Sequence, residues 1–178
     1  INPYRAVGNV NNLPGFADNH IAKQQPAWLM ATGLVRTLNP GIPEVRNYIN
    51  NVISDIVTRY DIDGIHFDDY FYPYRVAGKE FPDEVSFKKH GNGLGKDEWR
   101  RSNVDSVIVM LSRAIKKEKP LCRFGISPFG VWRNIKDDPD GSNTRAGVTN
   151  YDDLYADILL WLKNGWIDYV APQLYWEF

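Results

Sequence analysis

The chain has 178 residues, enough for one sizeable core and roughly one domain, and its 43% hydrophobic and 24% charged content is ordinary for a globular protein. A net charge of -1 offers no basic field for nucleic acid and no single-sign surface for a membrane, and no apolar run approaches the roughly 20 residues of a transmembrane helix. Three His and one Cys leave no CxxC or HExxH, which argues against a zinc site, so no metal and no cofactor are expected.

Ile1 to Val7 (INPYRAV) reads as the tail of a strand followed by a loop, with Pro3 unsuited to a central ladder position. The start at Ile rather than Met predicts that an upstream part is missing. Asn9 to Gln25 is aperiodic and reads as a loop with room for one short helix. Trp28 to Thr37 carries a β-prone run centred on Leu34 and Val35, a short strand or hairpin. Asn39, Pro40, Gly41 and Pro43 then punctuate a helix start. Val45, Ile49, Val52, Ile53, Ile56, Val57 and Tyr60 recur at helical spacing, which predicts an amphipathic helix of about four turns.

That helix leads directly into Ile62 to Tyr74, IDGIHFDDYFYPY, the stretch around which the chain is organised. In a strand, alternate side chains point to opposite faces, so Ile65 and Phe67 share one face and His66 and Asp68 the other. Asp69 and Tyr70 leave the strand, and Tyr72, Pro73 and Tyr74 form an aromatic loop. An Asp-Asp pair can also merely cap a helix or solvate a turn.

Arg75 to Lys96 reads as a polar loop, and a loop of more than 20 residues in a compact domain points to function. Asp97 to Lys119 is a second helix, with Val104, Val107, Ile108, Leu111 and Ile115 on one face and Pro120 as its stop. CRFGISPF is a second strand: Phe124 and Ile126 face helices, Gly125 and Ser127 face inward. Val131 to Asn150, containing WRN, is another polar loop. A third helix is expected from about Tyr151 to Lys163, carrying Leu154, Ile158, Leu159 and Leu162, with Gly165 as its stop. IDYVAPQLYWE is the last strand, with Val170, Pro172, Leu174 and Trp176 on one face and Ala171, Gln173, Tyr175 and Glu177 on the other.

Strand, long loop and helix thus repeat in one phase, with short turns at one end of the strands and elaborate loops at the other. That asymmetry marks a TIM (β/α)8 barrel, whereas no Gly-rich phosphate turn supports a doubly wound sheet. Full barrels run to about 250 residues. The expected fold is therefore α/β, a partial barrel read as a single domain over 1–178 and cut at both ends. Such a piece should expose two sheet edges or hide them by self-association.

On a barrel the inward set at the strand ends is Asp68, Ser127 and Glu177, with His66, Gln173 and Tyr175 beside them. Two carboxylates facing one aromatic-lined cleft is the layout of glycoside hydrolysis, one ionised and one holding a proton. Asp68, beside Asp69 and His66, has polar company that favours its charge. Glu177, beside Trp176 and Tyr175, has apolar company that would raise its pKa toward an acid's role.

The phrases INPYR, LNPGIPEVRNYI, DGIHFDDYFYPY, GISPFGVWRN and DYVAPQLYWE resemble the bacterial glycosyl-hydrolase-like barrel family that includes the divisome-localised peptidoglycan glycoside hydrolase. The resemblance spans almost the whole chain. It implies a (β/α)8 fold, with INPYR at the third strand, DGIHFDDY at the fourth, GISPF at the fifth and APQLYWE at the sixth. It implies retaining hydrolysis of a cell-wall glycan or related polysaccharide, Asp68 as nucleophile with Asp69 as its first replacement, and Glu177 as acid/base. Substrate contacts are expected at Tyr4, Arg5, His66, Tyr70, Tyr72, Ser127, Trp132, Gln173, Tyr175 and Trp176. The implied setting is extracellular, periplasmic or lipoprotein-anchored at the bacterial envelope, with an oligo- or polysaccharide as partner. A non-catalytic carbohydrate-binding barrel is the alternative, and Mg²⁺ or Ca²⁺ ligation by Asp68 and Asp69 a third reading.

Overall fold

The computed structural model describes residues 4–7, 16–33 and 35–175. In chain order its elements are β1 (Arg5–Val7), α1 (Ile21–Gln24), a 3-10 turn (Pro26–Trp28), β2 (Leu29–Thr32), β3 (Val35–Leu38), α2 (Pro43–Arg59), β4 (Gly64–Phe67), α3 (Glu84–His90), α4 (Lys96–Glu118), β5 (Arg123–Ile126), α5 (Ile158–Lys163) and β6 (Tyr169–Val170). Strands β4, β5 and β6 form a parallel sheet in that order. Their register sets Ile65 beside Phe124, and His66, Gly125 and Tyr169 in one row across the three strands.

One face of this sheet is apolar because alternate residues are. Ile65, Phe67, Phe124 and Ile126 are buried, with the Phe67 and Phe124 rings edge to face at 5.3 Å. Over them lie α2, burying Val45, Ile49, Ile53 and Val57, and α4, burying Val104, Val107, Ile108, Leu111 and Ile115. Each such side chain contributes about 1.5–3 kcal/mol on burial. Pro43 starts α2 where its missing N–H costs nothing. The buried stripe is narrower than the periodicity predicts, since Val52 and Tyr60 are exposed. The result is a mixed α/β fold consistent with part of an α/β barrel.

Other expectations need correction. The stretch from 1 to 7 does not join the parallel sheet: Ile1 to Pro3 lie outside the described residues, and β1 pairs antiparallel with β3 in a separate sheet, order β1-β3-β2. The β2–β3 hairpin turns at Gly33, whose φ of +60° suits glycine. The loop after β4 is not wholly irregular, because α3 interrupts it. It is pinned by Arg100, buried on α4, which donates to both oxygens of buried Asp83 (2.7 and 2.8 Å), to Glu80 (2.9 Å) and to the Tyr155 hydroxyl (2.8 Å).

The third helix begins about seven residues later than predicted. Tyr155 has φ +56°, a left-handed conformation that no α-helix contains, and only beyond it does Asp157 cap α5 by accepting from Leu160 N–H. Leu159 and Leu162 are consequently exposed, while Ile158 and Trp161 are buried. Leu174, expected to face helices, is 45% exposed. Pro172 has no N–H with which to extend the ladder, so β6 stops at Val170.

Candidate active site

The polar face of the parallel sheet opens, at the C-terminal ends of its strands, into a cleft of about 540 Å³. His66, Asp68, Asp69, Tyr70 and Tyr74 line it from β4 and the chain beyond, Ser127 from β5, and Gln173 and Tyr175 from the chain after β6. The three strand ends are tied together by hydrogen bonds that continue past the formal strands. Ser127 N–H donates to the Phe67 carbonyl (2.8 Å), Ala171 N–H to that of Ile126 (2.8 Å) and Gln173 N–H to that of Pro128 (2.9 Å). The Ser127 hydroxyl donates to the Ala171 carbonyl at 2.8 Å, so it fastens the sheet end.

Asp68 sits at the centre of this tie. Its Oδ1 accepts from Gln173 Nε2 at 2.7 Å and from the Asp69 backbone N–H at 3.0 Å, and Gln173 Nε2 also donates to the Ser127 carbonyl at 2.8 Å. Donors of this kind favour the ionised carboxylate and fix its rotamer. Asp69 is placed differently: it is 3% exposed, and the Tyr74 hydroxyl donates to its Oδ2 at 2.5 Å. Burial pushes the Asp69 carboxyl above the usual carboxylate range; the Tyr74 hydrogen bond opposes this and the nearby Asp68 charge adds to it. The Tyr74 phenol is itself held up by burial and by its bond to Asp69. Of two adjacent carboxyls, one is therefore clamped by donors and the other is biased toward holding a proton.

His66 is oriented across the sheet. Its Nδ1 lies 2.9 Å from the Tyr169 hydroxyl and the two rings stack at 5.6 Å. Aromatic side chains form the rim: Tyr70 and Tyr74 meet edge to face at 5.7 Å, Arg5 lies over the Tyr70 ring at 5.9 Å, and Tyr175 is 85% exposed. Such a rim can stack on the apolar faces of sugar rings while the carboxyls and Gln173 meet hydroxyls.

Of the residues singled out in the sequence, Asp68, Asp69, His66, Tyr70, Ser127, Gln173 and Tyr175 come together here, and Arg5 reaches the rim through Tyr70. Tyr4 and Tyr72 do not: both are fully buried, Tyr72 between Phe81 and Tyr155 at 5.4 and 4.9 Å. Trp132 packs edge to face on Tyr151 at 5.6 Å and against the core, away from the cleft lining. Trp176 and Glu177 lie outside the described residues. Two contributors were not singled out, Tyr74 and Tyr169. Counting back in steps of two from Gln173 and Ala171 reaches Tyr169, so its signal was present. Among the described residues no group of three or more His, Cys, Asp or Glu is arranged to hold a metal ion, and no helix is long and apolar enough to cross a membrane.

Comparison with known proteins bears on this geometry directly. The chain is 50% identical over 178 residues to Glycosyl hydrolase YngK of Bacillus subtilis (strain 168), covering 99% of this chain and 35% of that protein. It is 43% identical over 188 residues to Glycosyl hydrolase DigH of Escherichia coli (strain K12), covering 99% of this chain and 42% of that protein. The chain thus spans well under half the length of these relatives. Residues 10–178 match the family described as Glycosyl hydrolase-like 10, and the chain belongs to that family.

Proposed function

We propose that this chain forms the catalytic centre of a glycoside hydrolase acting on a bacterial cell-wall glycan or a related polysaccharide, as the middle strands of a (β/α)8 barrel. The observation that carries the reading is the unequal environment of two carboxyls in one aromatic-rimmed cleft: Asp68 clamped by Gln173 and the Asp69 N–H, Asp69 buried and bonded to Tyr74. Separating the pKa values of neighbouring carboxyls is how one site supplies both a charged and a protonated group.

In this reading Asp68 is the nucleophile, reaching the anomeric carbon from the strand end while Gln173 holds its other lone pairs. Glu177, four residues beyond Gln173, supplies the proton to the leaving oxygen, and Asp69 is the replacement for either role. For a retaining mechanism the two working carboxyls stand about 5–5.5 Å apart, against roughly 6.5–9.5 Å for an inverting one. His66, Tyr70, Ser127, Gln173 and Tyr175 contact the glycan. The setting is the bacterial envelope or beyond it. Strands β4 and β6 are the outer strands of the described parallel sheet; further strands of a longer chain, or a second copy of this one, pair there.

The test is Asp68→Asn assayed on purified peptidoglycan glycan strands. Turnover lost with glycan binding kept is the expected result. Near-native turnover would remove Asp68 from the nucleophile's role, and a wild-type chain that binds glycan without cleaving it, alone or within a longer protein, would leave a carbohydrate-binding barrel instead.

A further inference from the structure

A second hollow of about 430 Å³ lies beside the cleft, lined by Phe129, Val131, Thr144, Ala146, Gly147 and Val148. Phe129 joins the two spaces. Its ring meets Tyr74 edge to face at 6.5 Å, and its backbone pairs with Gln173 in a parallel bridge; Tyr74 and Gln173 both line the cleft. The far wall is the 144–148 segment, and it is fixed from behind by Asn134, which is 2% exposed. Asn134 Oδ1 accepts from Thr144 Oγ1 (2.9 Å) and Ala146 N–H (2.8 Å), and its Nδ2 donates to the Ala146 carbonyl (3.1 Å).

The chemistry of the hollow is one-sided. Thr144 is its one lining residue with a polar side chain, and that hydroxyl is already engaged by Asn134 and by Ser142 Oγ at 3.0 Å. A sugar ring carries hydroxyls on most of its carbons, and burying them here without side-chain partners is unfavourable, whereas a hydrocarbon group gains by leaving water. The carbon-rich appendage a saccharide offers is the acyl group on an amino nitrogen. We propose that this hollow is the subsite for the N-acyl substituent of an amino sugar whose ring lies in the adjoining cleft. The assignment rests on the carbohydrate reading of that cleft and narrows its substrate to N-acylated amino sugars.

Glycan strands can be de-N-acetylated and re-acylated with formyl, acetyl or propionyl groups, which varies the hydrocarbon while keeping a neutral amide. Binding of the three sets to the Asp68→Asn chain, read by calorimetry, should strengthen about fourfold from formyl to acetyl for each group engaged. At Gly147 an added β-carbon meets no atom within 4 Å, so Gly147→Leu adds bulk at the rim without disturbing the fold. That variant should abolish the acyl preference and leave the affinity for formyl strands unchanged, and Val148→Asp should do the same by polarity. Equal affinity for formyl and acetyl strands, or an acyl preference that survives both variants, overturns the subsite while leaving the cleft as a glycan site. Failure of every strand set to bind overturns the carbohydrate reading of the cleft and the subsite with it.

Discussion

The Tyr169 ring occupies the space over Gly125: a β-carbon added at Gly125 would lie 2.1 Å from the ring's Cζ and 2.3 Å from Cε1. The two residues are register partners on β5 and β6, so the missing side chain lets the ring cross the middle strand and reach His66 on β4. Gly125→Ala should therefore displace Tyr169, at about 1–3 kcal/mol of overpacking, and release the imidazole. Urea denaturation and the His66 ring resonances would register the two effects. In Gly125→Ala/Tyr169→Ala the destabilisation should fall short of the sum of the singles, because the clash is shared. Strict additivity would contradict the arrangement.

Gln173→Ala removes the side-chain donor from Asp68 without touching the carboxylate. A hydrogen bond to a charged group is worth about 1.5–3 kcal/mol, so hydrolysis should slow by roughly 10- to 100-fold. Gln173 acts here as a positioning residue, and the loss should appear in kcat more than in KM. An unchanged kcat with weakened binding would make Gln173 a substrate contact alone.

Arg100→Met leaves Asp83, which is 0% exposed, without its two-pronged partner. Stranding one member of a buried pair costs about 3–5 kcal/mol. Lys96, 3.5 Å from Asp83, retains part of the pairing, so a loss near 3 kcal/mol is expected. Removing the charge as well, in Arg100→Met/Asp83→Asn, should restore part of it. Limited proteolysis between residues 75 and 96 should be faster in the single variant than in the double.

Asp105 on α4 accepts from the indole Nε1 of buried Trp161 at 2.6 Å. Burial raises its carboxyl to about 6, with Asp157 adding to the effect and the Trp161 hydrogen bond and Arg101 opposing it. Because the folded chain then binds this proton more tightly than the unfolded chain, stability is greatest below about pH 4 as far as this group is concerned. It declines as pH rises toward 6 and stays lower above that. Asp105→Asn keeps an oxygen for Trp161 and removes the titration. It should be more stable than the wild type by about 2 kcal/mol at pH 7 and show a flatter Tm between pH 4 and 7. A variant that tracks the wild type across this range would mean the indole, not the charge, dominates the contact.

The most legible elements were those whose burial is decided locally. Periods of 3.6 and 2.0 marked α2, α4, β4 and β5 to within a residue or so, and the same alternation put Asp68, Ser127 and Gln173 on one face. The failures have long-range causes. The apolar period from Leu154 to Leu162 runs straight through Tyr155, whose left-handed φ accompanies bonds to Arg75 and Arg100 that no local pattern contains. The α3 segment was missed because its seven residues bury only Ser86 and so carry no apolar stripe. Tyr72 and Tyr74 are indistinguishable as letters; packing against Phe81 and Tyr155 sends one into the core, and Asp69 draws the other to the cleft.

The clamp on Asp68 joins residues 105 positions apart in the chain. Translation at 5–20 residues per second separates their emergence by about 5–20 s. Over that interval β4 can already be packed on α2, yet the acid at its end has no Gln173 and no third strand beside it. The reactive centre is therefore a late event in the life of the nascent chain, finished by its C-terminal stretch. Any ribosome that stalls before residue 173 releases a folded scaffold whose chemistry has not been switched on.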